Sequence, residues 1–176
     1  MPETRNNEVT MKGNPVTLAG TTPKVGDKAP DFTCVGAGLS EVKLANTAGK
    51  ARIFSVVPSL DTPVCNIQTK RFAQELSTLG DTIAAYTVST DLPFAQARFC
   101  GEAGITNMTN LSDAHDHSFG NHYGLLITDL PVPLLARAIV VVDAKDKITY
   151  VEIVPEIATE PNYDAALAAL KAAAGV

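Results

Sequence analysis

"ARIFSVVPSLDTPVCNIQTKRF", residues 51–72, joins a short apolar, β-branched run to a stretch whose apolar positions return every three or four residues. Residues 51–57 are largely apolar on both faces, as in a strand covered by helices on each side, which places it in the middle of a sheet. In the second stretch Thr62 suits an N-cap and Pro63 the first helical position, where a missing N–H costs nothing. Val64, Gln68, Phe72, Leu76 and Leu79 then share one helix face, leaving Lys70, Arg71 and Glu75 for water. A buried strand leading into an amphipathic helix is the opening of a layered α/β fold.

Working outward, "EVTMKGNPVTL" (8–18) reads as a hairpin turning at Gly13, Asn14 and Pro15. A second short strand pair is expected at 31–35 and 41–44. Downstream come a strand at 82–90, a helix at 93–101, a short strand near 109–111 and a helical turn at 115–123. Two strands, "LARAIVVVD" (135–143) and "KITYVEIV" (147–154), meet at the turn "AKDK", and the helix "NYDAALAALKAAA" (162–174) closes the chain. This alternation predicts a central mixed β-sheet flanked by helices, with an extra N-terminal β-hairpin. No repeat, low-complexity tract or long linker divides the chain, so residues 1–176 are expected to form one domain, with about 1–8 as a flexible N-terminal segment.

With 45% hydrophobic and 19% charged residues among 176, the chain has the composition of a protein that folds on its own core. Its formal net charge is -5, and no basic stripe is available to neutralise phosphates, so nucleic acid and anionic membranes are poor partners. The longest apolar runs fall well short of the about twenty residues that cross a bilayer. The N-terminus "MPETRNNEVTMKGN" is polar, giving no support to secretion, and a cytoplasmic location is expected.

Cytosolic thiols are kept reduced, so a structural disulfide is unexpected among Cys34, Cys65 and Cys100, and none of them forms a CxxC pair. With Thr62 as N-cap, Cys65 falls at the third helical position. The orphan N–H groups and the helix dipole there favour thiolate over thiol, and cysteines at such positions ionise below the free value of about 8.5. A lone free cysteine is also commonly a small buried hydrophobe, so TxxC by itself does not decide the matter. Arg137 is a candidate cation, placed among apolar residues at the start of a core strand. It either faces an anion such as Cys65 or reaches solvent along its own stem, and the sequence leaves both open. Cys100, near the end of "PFAQARFCG" (93–101), is a second thiol; a disulfide needs the two α-carbons within about 7 Å, and Gly101 and Gly104 would ease the motion.

"PSLDTPVC" matches the PxxxTxxC motif of peroxiredoxins at Pro58, Thr62 and Cys65, and "STDLPFAQARFCG" (89–101) resembles the resolving-cysteine helix of the bacterial thiol peroxidases, an atypical two-cysteine subfamily. "KGNPVTL", "ARAIVVVD" and "EIATEPNYDAAL" are also similar to that subfamily. The resemblance implies a thioredoxin-like fold and a homodimer, with Cys65 as peroxidatic and Cys100 as resolving cysteine. Pro58 would shield the sulfur, Thr62 would hydrogen-bond peroxide and thiolate, and Arg137 would stabilise the thiolate and polarise the O–O bond. It further implies reduction of alkyl hydroperoxides and hydrogen peroxide through a sulfenic acid and an intramolecular Cys65–Cys100 disulfide, recycling by thioredoxin, and no metal, haem or flavin cofactor. Leu60, Phe94 and Leu134–Leu135 are candidates for an apolar substrate pocket. Cys34 has no part in that scheme and reads as a packing residue.

Two other readings remain. "HDHSFGNH" (115–122) carries His115, His117 and His122 beside Asp113 and Asp116, a possible metal loop, although spaced histidines in a polar loop are commonly just solvated. A redox-regulated binding module would form a disulfide without turnover. A nucleotide site has little support, since "GAGLSE" (36–41) lacks the third glycine of a dinucleotide loop.

Overall fold

Every residue of the strand Ala51–Val56 is buried, and two neighbours flank it in the computed structural model, which describes residues 3–176. The strands are β1 (Thr4–Met11), β2 (Asn14–Ala19), β3 (Thr33–Val35), β4 (Glu41–Lys43), β5 (Ala51–Val56), β6 (Ile83–Ser89), β7 (Thr109–Ser112), β8 (Leu126–Ile127), β9 (Leu134–Leu135), β10 (Ala138–Val142) and β11 (Ile148–Ile153). The helices are α1 (Pro63–Leu76), α2 (Pro93–Ala103), α3 (Ser118–His122) and α4 (Tyr163–Ala174). Seven strands form the main sheet in the order β11-β10-β5-β6-β7-β3-β4. β5, β6 and β7 run parallel and the other pairs antiparallel, so the sheet is mixed. This is the expected thioredoxin-like α/β arrangement.

Strand period places alternate residues in two different cores. Ile53, Ile139 and Val141 face α1 and α4, packing with Phe72, Leu76, Leu167 and Leu170. Phe54, Val140 and Val142 point to the opposite face, into a cluster with Phe32, Phe119 and Tyr123. The Phe119 and Tyr123 rings stack at 4.3 Å, and Phe32 meets Phe54 edge-on at 5.8 Å. Each such side chain, fully buried, contributes on the order of 2 kcal/mol from apolar burial.

The hairpin differs from the expected one in two respects. It turns on Lys12 and Gly13, both at positive φ (52° and 80°), with Met11 opposite Asn14 and Pro15 already inside β2. Two positive-φ residues give the tight turn that matches strand twist. Secondly, residues 4–8 were expected to be flexible, yet β1 begins at Thr4, pairing with Ala19 before a bulge between Arg5 and Val9. The hold is polar, which is why no apolar pattern announced it: Arg5 donates to the carbonyl oxygens of Gly20 (2.5 Å) and Gly124 (3.1 Å) and pairs with Glu8 at 3.0 Å. β2 also pairs with β8 and β8 with β9, making a second, four-stranded sheet. Strands of two residues are too short to leave a period in the sequence.

α3 is fixed from outside by Asp113, which follows β7. Its buried carboxylate accepts the N–H groups of Phe119 (2.9 Å) and Gly120 (2.8 Å). Burial pushes this carboxyl up to about 6, against the pull of those two N–H groups. Because the folded state holds the proton more tightly, Asp113 contributes stability that is full below the ordinary carboxylate range and is lost as pH rises through about 6. Urea unfolding at pH 5 and pH 7.5 should show a decline of about 1 kcal/mol over that window, and Asp113→Asn should lack this decline. Parallel pH dependence in both proteins would contradict it.

Candidate active site

The sulfur of Cys65 is held where β5, α1 and β10 meet. Thr62 occupies the N-cap position with extended backbone (φ -109°, ψ 150°), Pro63 is the first helical residue and Cys65 the third. The first bond of the helix, from Asn66 N–H to the Thr62 carbonyl at 3.0 Å, comes after the N–H groups of Val64 and Cys65, so these are the orphan donors of the first turn. The Thr62 hydroxyl does not cap the backbone as its position led one to expect. It donates to the Ser59 carbonyl at 2.7 Å and lies 2.9 Å from the Cys65 sulfur.

Arg137 immediately precedes β10, and the structure brings it to the cysteine rather than to solvent. Only 2% exposed, it donates from Nε to the Ile157 carbonyl (2.7 Å), from Nη1 to Gln68 Oε1 (2.9 Å) and from Nη2 to the Cys65 sulfur (3.3 Å). Three contacts in one plane fix the guanidinium fork, leaving one edge for the sulfur. Gln68 is the residue that sequence reasoning missed. Helical spacing assigned it to the apolar face of α1; it is indeed fully buried, but its amide donates to Ser55 Oγ on β5 at 2.8 Å while its oxygen holds Arg137. A polar side chain on a buried stripe was the available signal, since such a group must have partners.

An apolar cavity of about 340 Å³ reaches both neighbours of the sulfur, lined by Pro58, Thr62 and Arg137 together with Met11, Leu134 and Ile157. The hairpin turn is brought there by backbone bonds from Thr10 N–H to the Pro155 carbonyl (2.7 Å) and from Ile157 N–H to the Thr10 carbonyl (2.9 Å). Of the apolar residues expected here only Leu134 lines this cavity. Leu60 packs behind the cysteine with Phe99 and Cys100, Phe94 is exposed on α2, and Leu135 is in the core.

Cys100 lies on the buried side of α2, in a small cluster with Val57, Leu60, Cys65 and Phe99, and the Asn110 amide is 3.3 Å from its sulfur. Gly104 ends the helix in the left-handed conformation, φ 67°. All three cysteines are free thiols. Cys34 is buried in the core, 3.9 Å from Asp113, and both burial and that carboxylate push its thiol well above the ordinary range. The histidines go elsewhere: His117 donates to the Asp113 carbonyl at 2.7 Å and His122 to the Asp31 carbonyl at 2.6 Å. Among the described residues no group of three or more His, Cys, Asp or Glu is placed to hold a metal ion, and no helix is long and apolar enough to cross a membrane.

A cysteine in the first turn of a helix thus meets a buried guanidinium beside a thioredoxin-like sheet. The Redoxin family matches residues 24–167. The chain is 52% identical to a thiol peroxidase of Listeria innocua, covering 94% of this chain and 99% of that protein, and 50% identical to one of Bacillus subtilis, covering 94% and 97%. A peroxiredoxin-like protein from Aquifex aeolicus superposes with a TM-score of 0.88 at 40% identity, covering 95% of this chain and 97% of the other. The chain belongs to the Redoxin family and, within it, to the peroxiredoxin-type thiol peroxidases, as the motifs implied. It is an oxidoreductase, a thiol-dependent peroxidase.

Proposed function

We propose that the protein reduces alkyl hydroperoxides and hydrogen peroxide at Cys65, with Cys100 completing an intramolecular dithiol cycle. The observation that carries this reading is the 3.3 Å contact between Arg137 Nη2 and the Cys65 sulfur at the start of α1. The guanidinium and the first-turn N–H groups face the sulfur, where they can meet the charge displaced as the O–O bond breaks. The thiolate attacks one peroxide oxygen in line with the O–O bond; an S–O bond forms, the O–O bond breaks, and the departing oxygen takes a proton to leave as alcohol or water. Arg137 faces the charge that develops during this displacement, and Thr62, which already gives its proton to Ser59, offers lone pairs to the hydroperoxide O–H. Pro58 helps to close the site against water.

The Cys65 sulfenic acid then meets the Cys100 thiol, forming the S–S bond with loss of water. A dithiol protein of the thioredoxin type donates two electrons by thiol–disulfide exchange and restores both thiols. The shared cluster of Cys65, Leu60, Phe99 and Cys100 supports this pairing, because both thiols border the same buried group, and local opening of α2 is the motion the pairing calls for. The apolar lining supports organic hydroperoxides as substrates. Exposed Leu92 and Phe94, at the start of α2, support contact with a second copy of the chain, and a cytoplasmic location suits a cycle that depends on reduced thiols.

The test is peroxide consumption coupled to thioredoxin, its reductase and NADPH. Wild type should turn over continuously, and Cys100→Ser should reduce one equivalent and then stop. Continuous cycling by that variant would remove Cys100 from the scheme. Disulfide formation without turnover in the wild type would favour the binding-module reading.

A further inference from the structure

The loop that carries Ser59, Leu60 and Thr62 is held by a carboxylate that the scheme above does not use. Asp91 lies between β6 and α2, two residues before the helix that bears Cys100. Its Oδ1 accepts Ser59 Oγ–H at 2.7 Å, and its Oδ2 accepts both Leu60 N–H and Ser89 Oγ–H at 2.8 Å. Its own main-chain carbonyl accepts Ser112 Oγ–H at 2.6 Å, so the backbone of the residue is anchored to β7. Charge-assisted bonds of this kind are among the stronger ones in a half-buried setting. The other polar link between the loop and α2, Asp61 with Arg98 at 3.2 Å, is exposed and contributes little.

From Asp91 the path to the reacting atoms is short. The residue it holds, Ser59, presents the carbonyl that takes the Thr62 hydroxyl proton at 2.7 Å and the Thr62 N–H at 3.1 Å. That hydroxyl is 2.9 Å from the Cys65 sulfur. Turning Ser59 would free the Thr62 proton and rotate its oxygen away from an incoming hydroperoxide.

We infer that Asp91 is a positioning residue for the peroxide-reducing step, acting through Ser59 on Thr62, and that the same bonds restrain the loop against the rearrangement joining Cys65 to Cys100. The inference rests on the peroxidase reading and separates its two chemical steps. Losing Asp91 slows sulfenic acid formation, where geometry counts most, and leaves condensation with Cys100 as fast or faster.

Quenched-flow reaction with cumene hydroperoxide, followed by mass spectrometry of the trapped protein, reads the two steps apart. Asp91→Ala should lower the rate constant for sulfenic acid formation by about tenfold while disulfide formation is not slowed. Asp91→Asn, which keeps one acceptor oxygen, should recover most of the loss. Ser59→Ala leaves no large hole and decides the matter should Asp91→Ala fail to fold by circular dichroism; it too should slow the first step, and the double variant should be no slower than Asp91→Ala. A first step within twofold of wild type in Ser59→Ala, or equal slowing of both steps, would overturn the inference. A wild type without peroxidase turnover would instead sink the function on which it rests.

Discussion

Replacing Cys65 by serine is expected to stop peroxide consumption, with a loss of at least about 10⁴-fold, the scale seen when an enzyme loses its nucleophile. A serine hydroxyl stays protonated at neutral pH, and alkoxide chemistry gives no analogue of the sulfenic acid that the proposed cycle passes to Cys100. The rest of the site is kept, since serine fits the space of cysteine and can hydrogen-bond to Thr62 and Arg137. The loss therefore reports chemistry rather than folding, which circular dichroism of the variant checks. Residual turnover above about 1% of wild type would mean that another thiol does the work. Cys34 is the poorest candidate: in the core beside Asp113, burial and that carboxylate push its thiol upward, so its thiolate is not available. Cys100 lies on α2, and its sulfur contacts the neutral amide of Asn110 where Cys65 has a guanidinium.

The comparison of the three cysteines shows why part of this site could be read from the sequence. The position of Cys65 in the first turn of α1 is a local property, set by Thr62 and Pro63 immediately before it, and local chemistry is written in order along the chain. The main sheet was legible for the same reason, because 51–57 and the strands at 82–90 and 135–143 carry long apolar runs that need cover on both faces. Arg137 was legible only as an alternative. Whether a guanidinium at the head of a core strand meets water or an anion depends on what lies across the sheet, and that is a property of strand order.

Gln68, Asp91 and β8–β9 escaped for related reasons. Gln68 sits at an apolar position of the helical period, and its value lies in partners thirteen and sixty-nine residues away, Ser55 and Arg137. Asp91 follows a strand as many turn residues do, and its bonds run back to a loop thirty-one and thirty-two residues earlier. Buried polar residues are thus the places where sequence periodicity and the folded network diverge: the period predicts burial, and only the fold supplies the partner.

Arg137 also allows its charge to be separated from its geometry. Arg137→Lys keeps the positive charge, but a single ammonium cannot serve the Ile157 carbonyl, the Gln68 oxygen and the Cys65 sulfur together as the fork does at 2.7, 2.9 and 3.3 Å. Losing one well-placed donor at a developing charge costs about 10²- to 10³-fold, so the single-turnover rate of sulfenic acid formation should fall by about that factor in the lysine variant. Arg137→Met removes the charge as well and should fall further, by about 10³-fold or more, through loss of every guanidinium contact to the charge that develops at the reacting atoms. Stability should behave differently. The methionine fills much of the same buried volume, and removing the cation also removes its desolvation cost, which offsets the unmet acceptors at Ile157 and Gln68; urea unfolding should therefore shift by no more than about 2 kcal/mol. A large loss of activity with a small change in stability identifies a charge kept in the interior for chemistry rather than for folding. Should Arg137→Met react with cumene hydroperoxide within tenfold of wild type, the guanidinium would not be the group that faces the breaking O–O bond.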